Sequence, residues 1–536
     1  MKKKFLYITS ALLALNVGCS KEHIDEVSTN PLGTTEQTFD PNSLLPTAQW
    51  GFSNTGYTRL LFQAGFTQTL ASTFDYYGNG DKYFRTLNTT DYINNLWNDQ
   101  YLNASRAYEM MNLTQDRPEL SNTYNIGVIM KVLMLNQLTD VYGDIPYSQA
   151  LQAKAGITQP AYDTQQSIYT SMLNELETAT TALDASKAGP SSDLFYKGNI
   201  AQWKRFGYSL MLRVAMRLTK VDPALAKTWA EKAAAGGTFT SVADDAKTVG
   251  DQGSGFSNAT ANAIRTPSDF LYVKWSKTLI DYMKTNSDPR LSAVAEVPAA
   301  GLDANGNQDL AGDNTAANQI GLPNGYTIGG LRPITARTDY PGGTGTGNNL
   351  AVVGKYSRPK TAVYLDRSGI NMVFTYAQTE LLLAEAKVRG WNVGATSAAQ
   401  HFSNGVQAAM ASLAEFNAAG TVPATSAAAY AAAHPLNVTS TAASLNQINT
   451  EYWVATATFF DFIENWINWR RSGYPVLTPV QYPGNFSNNT IPRRLPYHSL
   501  EPSNNPSGYS TAVGRLQGRD EFTSRVWWDV AQTANQ

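Results

Sequence analysis

The stretch LTDVYGDIPYSQAL, residues 138–151, closes a long apolar helical pattern and restricts how the chain can continue. Gly143 can adopt the positive φ that often follows a helix C-terminus. Pro146 prevents simple continuation of the helix and favours an extended backbone at Ile145. The sequence therefore predicts a broad apolar, central helix over about 121–140 that ends in a fixed corner. By themselves these residues favour a structural role over a catalytic one.

Most of the remaining chain also has helical periodicity. Helices are predicted over about 57–74, 91–113, 164–184, 199–219, 223–235, 371–391 and 451–475, with closely packed helices in the Ala-rich segment 395–445. Residues 236–365 differ, because Gly, Asn, Asp and Thr accumulate there and only one helix is indicated, near 269–285. We expect a mainly α scaffold that carries a loop-rich insertion over about 236–365.

Composition limits the classes of ligand. The chain has 536 residues, of which 43% are hydrophobic but only 16% are charged, so an uncharged hydrogen-bonding surface is expected. The formal net charge of -2 gives no electrostatic footprint for nucleic acid. Tyr is the most abundant aromatic residue, with 28 copies. Tyr combines a ring face with a polar tip, which suits stacking on sugars or peptides.

The N-terminus has the pattern of an export signal. MKKK is basic, and FLYITSALLALNV is an apolar run of about 13 residues, too short to span a bilayer. Cys19 is the only cysteine and follows Gly18 in LNVGC, which resembles a bacterial lipobox with Asn16 in place of the usual Leu. We expect a signal peptide over 1–18 and a flexible tether over 19–40. Acyl chains on Cys19, palmitate among them, would anchor the protein rather than let it span the membrane.

Cysteine and histidine are too scarce for several kinds of chemistry. No thiol follows Cys19, which excludes disulfides and a cysteine nucleophile from the folded body. The four histidines have no metal-ligand spacing, and no GxSxG motif supports a serine triad. PGGTGTG, residues 341–347, lacks the GK[ST] of a phosphate-binding loop and predicts a flexible loop.

One segment offers oxygen ligands for a metal. DANGNQD places Asp303, Asn305, Asn307 and Asp309 at alternate positions, as in a calcium-binding loop. Asn314 stands where an EF-hand would have its bidentate glutamate, so a flexible polar loop remains the alternative. No other cofactor is expected.

Several motifs together resemble those of the SusD/RagB-like surface lipoproteins of Bacteroidota. The resemblance rests on residues 138–151, WKRFGYSLMLRVAMRLTKVDP at 203–223, LPNGY at 322–326, TYAQTELLLAEAKVRGW at 375–391, the WxxWRRxGxP pattern of Trp466, Trp469, Arg470 and Arg471, and a closing RxxYPxxExxxN-like pattern of Arg494, Tyr497, Glu501 and Asn504 or Asn505. His498 replaces the proline of the closing pattern. The acidic SKEHIDE after Cys19 is similar to a surface-export tag of such lipoproteins.

The resemblance implies a fold and a role. It implies a single SusD-like domain over 41–536, built from tetratricopeptide-like helical pairs, although no tetratricopeptide consensus is visible in the sequence itself. It also implies a lipid-anchored protein on the cell outer membrane that captures an oligosaccharide, or in some branches a peptide. The ligand would then pass to a partner TonB-dependent, SusC-like transporter without chemical change.

The ligand site is predicted from aromatic density, not from a family motif. The loop FDYYGNGDKYF, residues 74–84, interrupts the helices with tyrosines and two glycines. The predicted ligand-binding residues are Tyr76, Tyr77, Asn79, Tyr83, Arg85 and Trp97.

Two other functions remain open from the residues. An extracellular glycoside hydrolase would need two carboxylates about 5–10 Å apart, and Asp75 and Asp81 flank the aromatic loop. Loop Asp residues beside glycine are usually turn formers, which disfavours that reading. A structural lid for the transporter without ligand affinity is the other alternative.

Overall fold

The computed structural model describes residues 39–516 and 519–531. The predicted signal peptide, Cys19 and the predicted tether up to residue 38 lie outside these residues. Of the described residues, those from Asn42 onward form one compact unit. Within the described residues, no helix combines the length and apolar character that crossing a membrane would require.

The first half of the unit is a series of packed helices. They are α1 Leu44–Ser53, α2 Tyr57–Leu60, α3 Gln63–Phe66, α4 Gly78–Asp81, α5 Thr89–Thr114, α6 Ser121–Tyr142, α7 Gln165–Ala182, α8 Ile200–Arg217 and α9 Pro223–Gly236. From α5 to α9, each helix packs against the next. Side chains at the N-caps explain several starts, since Asp222 accepts from the Leu225 amide and Pro223 occupies the first turn of α9.

The corner after α6 forms as predicted. Gly143 has φ of 92°, and its amide donates to the Thr139 carbonyl at 2.8 Å. The chain then enters β2 Ile145–Pro146, which pairs antiparallel with β3 Tyr162–Asp163. Arg494 donates to the Tyr142 carbonyl at 3.0 Å, so the C-terminal segment holds this helix end.

The loop-rich segment 236–365 contains more regular structure than expected. Its elements are β4 Ala246–Val249, α10 Ala259–Arg265, α11 Pro267–Tyr272, β5 Val273–Trp275, α12 Lys277–Thr285, α13 Arg290–Val294, β6 Ala295–Glu296, α14 Leu302–Gly306, β7 Arg358–Pro359 and α15 Thr361–Tyr364. The single helix predicted near 269–285 is wrong, because β5 separates α11 from α12. It pairs with β1 Leu70–Ser72, some 200 residues earlier in the chain.

The second helical half begins with β8 Ile370–Phe374. It continues with α16 Tyr376–Val388, α17 Ala398–Ala411, α18 Ala424–Ala433, α19 Thr441–Thr458, α20 Phe462–Ser472, α21 Glu501–Asn504 and α22 Pro506–Arg515. Among these, α16 packs against α17 and α19, and α19 packs against α20.

Three predicted helices are wrong in part. The first part of 371–391 is β8, which pairs with β4, and α16 begins only at Tyr376, where Thr375 and Gln378 form a capping box. The segment 451–475 is broken at Phe460, whose φ is 59°. The pattern over 57–74 becomes two short helices followed by β1.

One large hydrophobic core runs through both helical halves. Buried polar groups also connect them. Arg470 lies over the Trp466 ring at 3.8 Å and donates to the Asp140 carbonyl at 2.6 Å, which joins α20 to α6. The late WxxWRR pattern therefore acts as scaffold here. The prediction of a mainly α, tetratricopeptide-like scaffold is confirmed.

Candidate ligand-binding surface

Five partly buried aromatic rings meet beside the loop that follows β1. We name them the aromatic face: Tyr57, Phe74, Tyr76, Tyr92 and Tyr272. They come from the start of α2, the loop after β1, the first turn of α5 and the end of α11. The pairing of β1 with β5 opposes Ser72 to Val273, which brings the loop with Phe74 and Tyr76 alongside Tyr272.

Tyr76 lies at the centre of the aromatic face. Its ring centroid is 5.2 Å from that of Tyr57, 6.1 Å from Phe74 and 6.3 Å from Tyr92. Phe74 in turn lies 6.2 Å from Tyr272. Edge-to-face and offset contacts of this kind fix the ring orientations. Because every ring is only partly buried, the face presents both apolar carbon and phenol hydroxyls at the surface.

A carboxylate lies at the inner edge of the face. The Tyr57 hydroxyl donates a short hydrogen bond to Asp269 Oδ2, and Thr266 Oγ1 lies 3.1 Å from the same phenol oxygen. Burial raises the pKa of Asp269 to about 6, although the Tyr57 hydrogen bond opposes the change. Burial, followed by the hydrogen bond to Asp269, raises the pKa of Tyr57 well above its ordinary value. Tyr57 therefore stays a neutral donor at physiological pH, with its hydroxyl fixed by Asp269.

Three of the predicted site residues lie in or beside the loop that carries the aromatic face, but only one of them is part of the face. Tyr76 is on the aromatic face, and Tyr77 is buried directly beneath it. Asn79 is also buried, where its amide donates to Thr86 Oγ1 at 2.9 Å and to Asn88 Oδ1 at 2.8 Å. In this conformation, Asn79 therefore holds the loop in place rather than reaching the surface.

The other three predicted residues lie apart from the aromatic face. Tyr83 is fully buried against Phe66, and Trp97 is packed among other aromatic rings. Arg85 is exposed, with its guanidinium 5.6 Å from the Phe522 ring centroid. Contact of these residues with a ligand stays a prediction, and a single platform made of all six does not form in this conformation.

Sequence reasoning missed Tyr57, Tyr92 and Tyr272. Each is an isolated tyrosine near a helix terminus, and only Tyr272 has other aromatic residues close by in the sequence, Phe270 and Trp275. Only the long-range pairing of β1 with β5 places Tyr272 beside the loop, and the periodicity of the sequence does not predict that pairing. The aromatic loop itself was the one local signal.

The two carboxylates of the hydrolase alternative have different environments. Asp75 is exposed, whereas Asp81 is buried and bonded to the Asn324 amide at 2.8 Å and to Lys82 at 3.0 Å. Burial raises the pKa of Asp81, and the neighbouring Lys82 opposes that change. Asp81 therefore anchors the loop to the insertion and does not face a common cleft with Asp75.

The four candidate calcium ligands do not form one ligand set in this conformation. Asp303 and Asn305 lie on the short helix α14, where positions two apart point to different sides. Asn305 is buried and donates to the carbonyls of Ala299 and Gly301, while Asp309 is exposed. Among the described residues, no group of three or more His, Cys, Asp and Glu side chains could hold a metal ion.

Comparison with known proteins identifies the family. A SusD-like family model, described as starch-binding and associating with the outer membrane, matches residues 33–498. A solved structure of a chitin-binding protein is 30% identical, with a TM-score of 0.77 over 92% of this chain and 100% of that one. No curated protein matches the chain significantly.

Two further solved structures share the fold along most of the chain. A SusD-like protein of Bacteroidetes is 25% identical with a TM-score of 0.79, covering 92% of this chain and 100% of that one. A chitin-binding SusD homologue from Flavobacterium johnsoniae is 26% identical with a TM-score of 0.67, and the match covers 92% of this chain and 97% of that one. The chain belongs to the SusD-like family, because the family model matches most of this chain and because the helical fold is shared.

Proposed function

We propose that this protein captures oligosaccharides at the cell surface and delivers them to a partner TonB-dependent outer-membrane transporter. The observation that carries the proposal is the aromatic face, in which three rings lie against Tyr76 and a fourth, Tyr272, lies against Phe74. Sugar rings bind to aromatic faces bordered by a few oriented polar groups. The family description and the two chitin-binding relatives support a glycan ligand, and chitin oligosaccharides are the first candidates.

The proposal does not include a chemical step. Asp75 and Asp81 do not share a cleft, and the buried Asp269 already accepts the Tyr57 hydroxyl. The site holds its ligand by ring contacts and hydrogen bonds to hydroxyls. This is the arrangement of a binding protein that releases its ligand unchanged.

The test is titration calorimetry of the purified protein with chitin, starch and other oligosaccharides, together with short peptides. Each sample is then separated chromatographically to find any shortened product. Saturable binding of an oligosaccharide that is recovered intact supports capture. Binding of peptides alone would move the protein to a peptide-binding branch, silence across the panel would favour a structural lid, and a shortened glycan would favour a hydrolase.

Membrane attachment and delivery need separate measurements. We propose that Cys19 carries the lipid anchor, so Cys19→Ser should move the protein from the membrane fraction to the soluble fraction and abolish incorporation of labelled palmitate. The unchanged protein should co-purify with a TonB-dependent transporter. Membrane retention of the Cys19→Ser variant would contradict the anchor, and purification without such a transporter would contradict the delivery role.

A further inference from the structure

A second surface feature lies on the far side of the β1–β5 pair. It is a cleft of about 560 Å³ between the start of α12, the loop over 323–337 and the segment 478–481. Its basic lining residues are Lys277, Arg332 and Arg337, and its acidic lining residue is Asp281. We name it the cationic cleft.

Two guanidinium groups converge on one phenol in this cleft. Arg332 Nη2 and Arg337 Nη1 donate to the Tyr326 hydroxyl oxygen at 2.8 and 2.7 Å. Both guanidinium carbons also lie near the Tyr326 ring, 4.4 and 4.8 Å from its centroid. Two like charges are thus brought to the same phenol oxygen, an arrangement that repulsion opposes unless an anion joins them.

The carboxylates near the cleft do not balance these cations. Arg337 forms a two-pronged ion pair with the exposed Asp339, at 2.6 and 2.7 Å, and Lys277 pairs with Asp281 at 2.6 Å. Arg332 has no carboxylate within ion-pair distance among the residues that the structure describes. The partly buried guanidinium of Arg332 therefore has no carboxylate partner among the described residues that line this open cleft.

The loop that carries Arg332 is held firmly. The Thr327 amide donates to the Arg332 carbonyl at 2.9 Å, and the Ile334 amide donates to the Thr327 carbonyl at 2.8 Å. Ile334 is fully buried in a small second core together with Leu322 and Tyr356. Arg332 is therefore fixed in advance of any ligand, which lowers the entropy cost of binding.

The cleft and the aromatic face are neighbours. Tyr272 of the face and Tyr326 of the cleft pack against that same second core, which also includes Ala71 of β1. Phe74 and Tyr272 flank one end of the β1–β5 pair, and Gln68 and Lys277 of the cleft flank the other end. Five residue steps separate Tyr272 from Lys277 and six separate Gln68 from Phe74, which is at most about 17–20 Å along an extended backbone. An oligosaccharide has the length to reach both.

We propose that the cationic cleft binds the carboxylate or sulfate group of an acidic sugar in the captured glycan, with Arg332 as its principal contact. The inference rests on the proposed function, since the rest of the same glycan would lie on the aromatic face. The planar fork of arginine matches the two oxygens of a carboxylate and gives stronger hydrogen bonds than a neutral donor. The protein would thus bind an acidic glycan more tightly than a neutral glycan with the same backbone.

The test compares ligands that differ only in charge. Oligogalacturonate and its methyl ester share one backbone, and chondroitin and chondroitin sulfate separate the carboxylate from the sulfate as the source of the charge. In titration calorimetry, the affinity for the charged member of each pair should be about tenfold or more higher than the affinity for its neutral or less charged partner. That preference should shrink as salt is raised, because screening weakens exposed charges.

Variants separate recognition from folding. Arg332→Gln should remove the preference for the acidic ligand and leave binding of neutral oligosaccharides and the unfolding temperature unchanged, while Arg332→Lys should restore part of the preference. Arg117→Gln, at an exposed arginine of another surface, is the matched control and should keep the full preference. Equal binding of acidic and neutral ligands by the unchanged protein, or a full preference in Arg332→Gln, would overturn the inference and leave the proposed function intact. Failure of every saccharide to bind would instead overturn the proposed function and this inference with it.

Discussion

Gly80→Ala should loosen the loop that carries the aromatic face, because the backbone of α4 packs directly on the backbone before and within α3. A Cβ at Gly80 would overlap the Phe62 carbonyl oxygen and lie 2.8 Å from the Leu61 carbonyl oxygen. Ordinary contact of a carbon atom needs about 3.5 Å, so the Leu61 contact alone requires the two segments to separate by roughly 0.7 Å, and the closer Phe62 contact requires more. The φ of Gly80 is not positive, so the effect is steric.

The expected cost follows from the groups that must move. Overpacking of this kind costs about 1–3 kcal/mol. Separation also strains the hydrogen bonds that Asp81 accepts from the Asn324 side chain at 2.8 Å and from the Gly325 amide at 3.2 Å, which adds about 1 kcal/mol. We therefore expect the free energy of unfolding to fall by about 2–4 kcal/mol. Ligand affinity should fall as well, because Tyr76 is carried on the displaced loop.

The assay is urea unfolding followed by tryptophan fluorescence, with ligand titration of the folded variant. Gly514→Ala is the matched control, since a Cβ there meets open space on the exposed side of α22. That control should be neutral or stabilise the protein by about 0.5–1 kcal/mol. If Gly80→Ala unfolds at the same urea concentration as the unchanged protein, the close backbone contact does not exist as described.

Three further changes test the scaffold. Burial raises the pKa of Asp245 to about 7, so the folded state holds this proton more tightly than the unfolded chain. The stabilisation is lost as pH rises from about 4 to 7 and amounts to up to about 4 kcal/mol in the free energy of unfolding. Asp245→Asn should remove this dependence on pH when unfolding is measured across that range. Arg471→Met removes the two bonds of 2.7 Å that the buried Glu385 accepts from Arg471, while Glu385 keeps its ion pair with Arg389 at 2.8 Å. The change should cost about 2–4 kcal/mol in urea unfolding, whereas Arg117→Met on the surface should change little. Gly143→Ala places a side chain at φ of 92° and should lower the free energy of unfolding by about 1–3 kcal/mol, and an unchanged midpoint would refute that strain.

The long helices could be predicted from the sequence because their signals are local. Ser121–Tyr142 combines a broad apolar pattern with Gly143 and Pro146 at its end, and both the helix and its corner form where expected. Ile370–Phe374 was assigned to a helix because its apolar residues continue into a helical period. Its pairing with Ala246–Val249 is a tertiary contact that no local period reveals.

The ligand surface could be predicted only in part for the same reason. The density of tyrosines identified the loop that carries Tyr76, but density does not reveal burial. Tyr83 and Trp97 belong to the core, while Tyr272 reaches the face through a strand pair that closes over 200 residues. The cationic cleft likewise depends on the fold of the loop over 323–337, and nothing in the local pattern around Arg332 marks it as unpaired.

The most direct test of the account is the affinity of the double variant Tyr76→Ala/Tyr272→Ala for the oligosaccharide found in the binding panel. Each ring that stacks on a sugar contributes about 1–2 kcal/mol, so loss of both predicts an affinity at least about thirtyfold lower, with the glycan still recovered intact. The matched control is Tyr124→Ala/Tyr208→Ala, which removes two partly buried tyrosines that pack on the main core away from the aromatic face. If Tyr76→Ala/Tyr272→Ala loses affinity at an unchanged unfolding temperature and the control variant does not, the aromatic face is supported as the binding site. Equal affinities for the unchanged protein and Tyr76→Ala/Tyr272→Ala would contradict it.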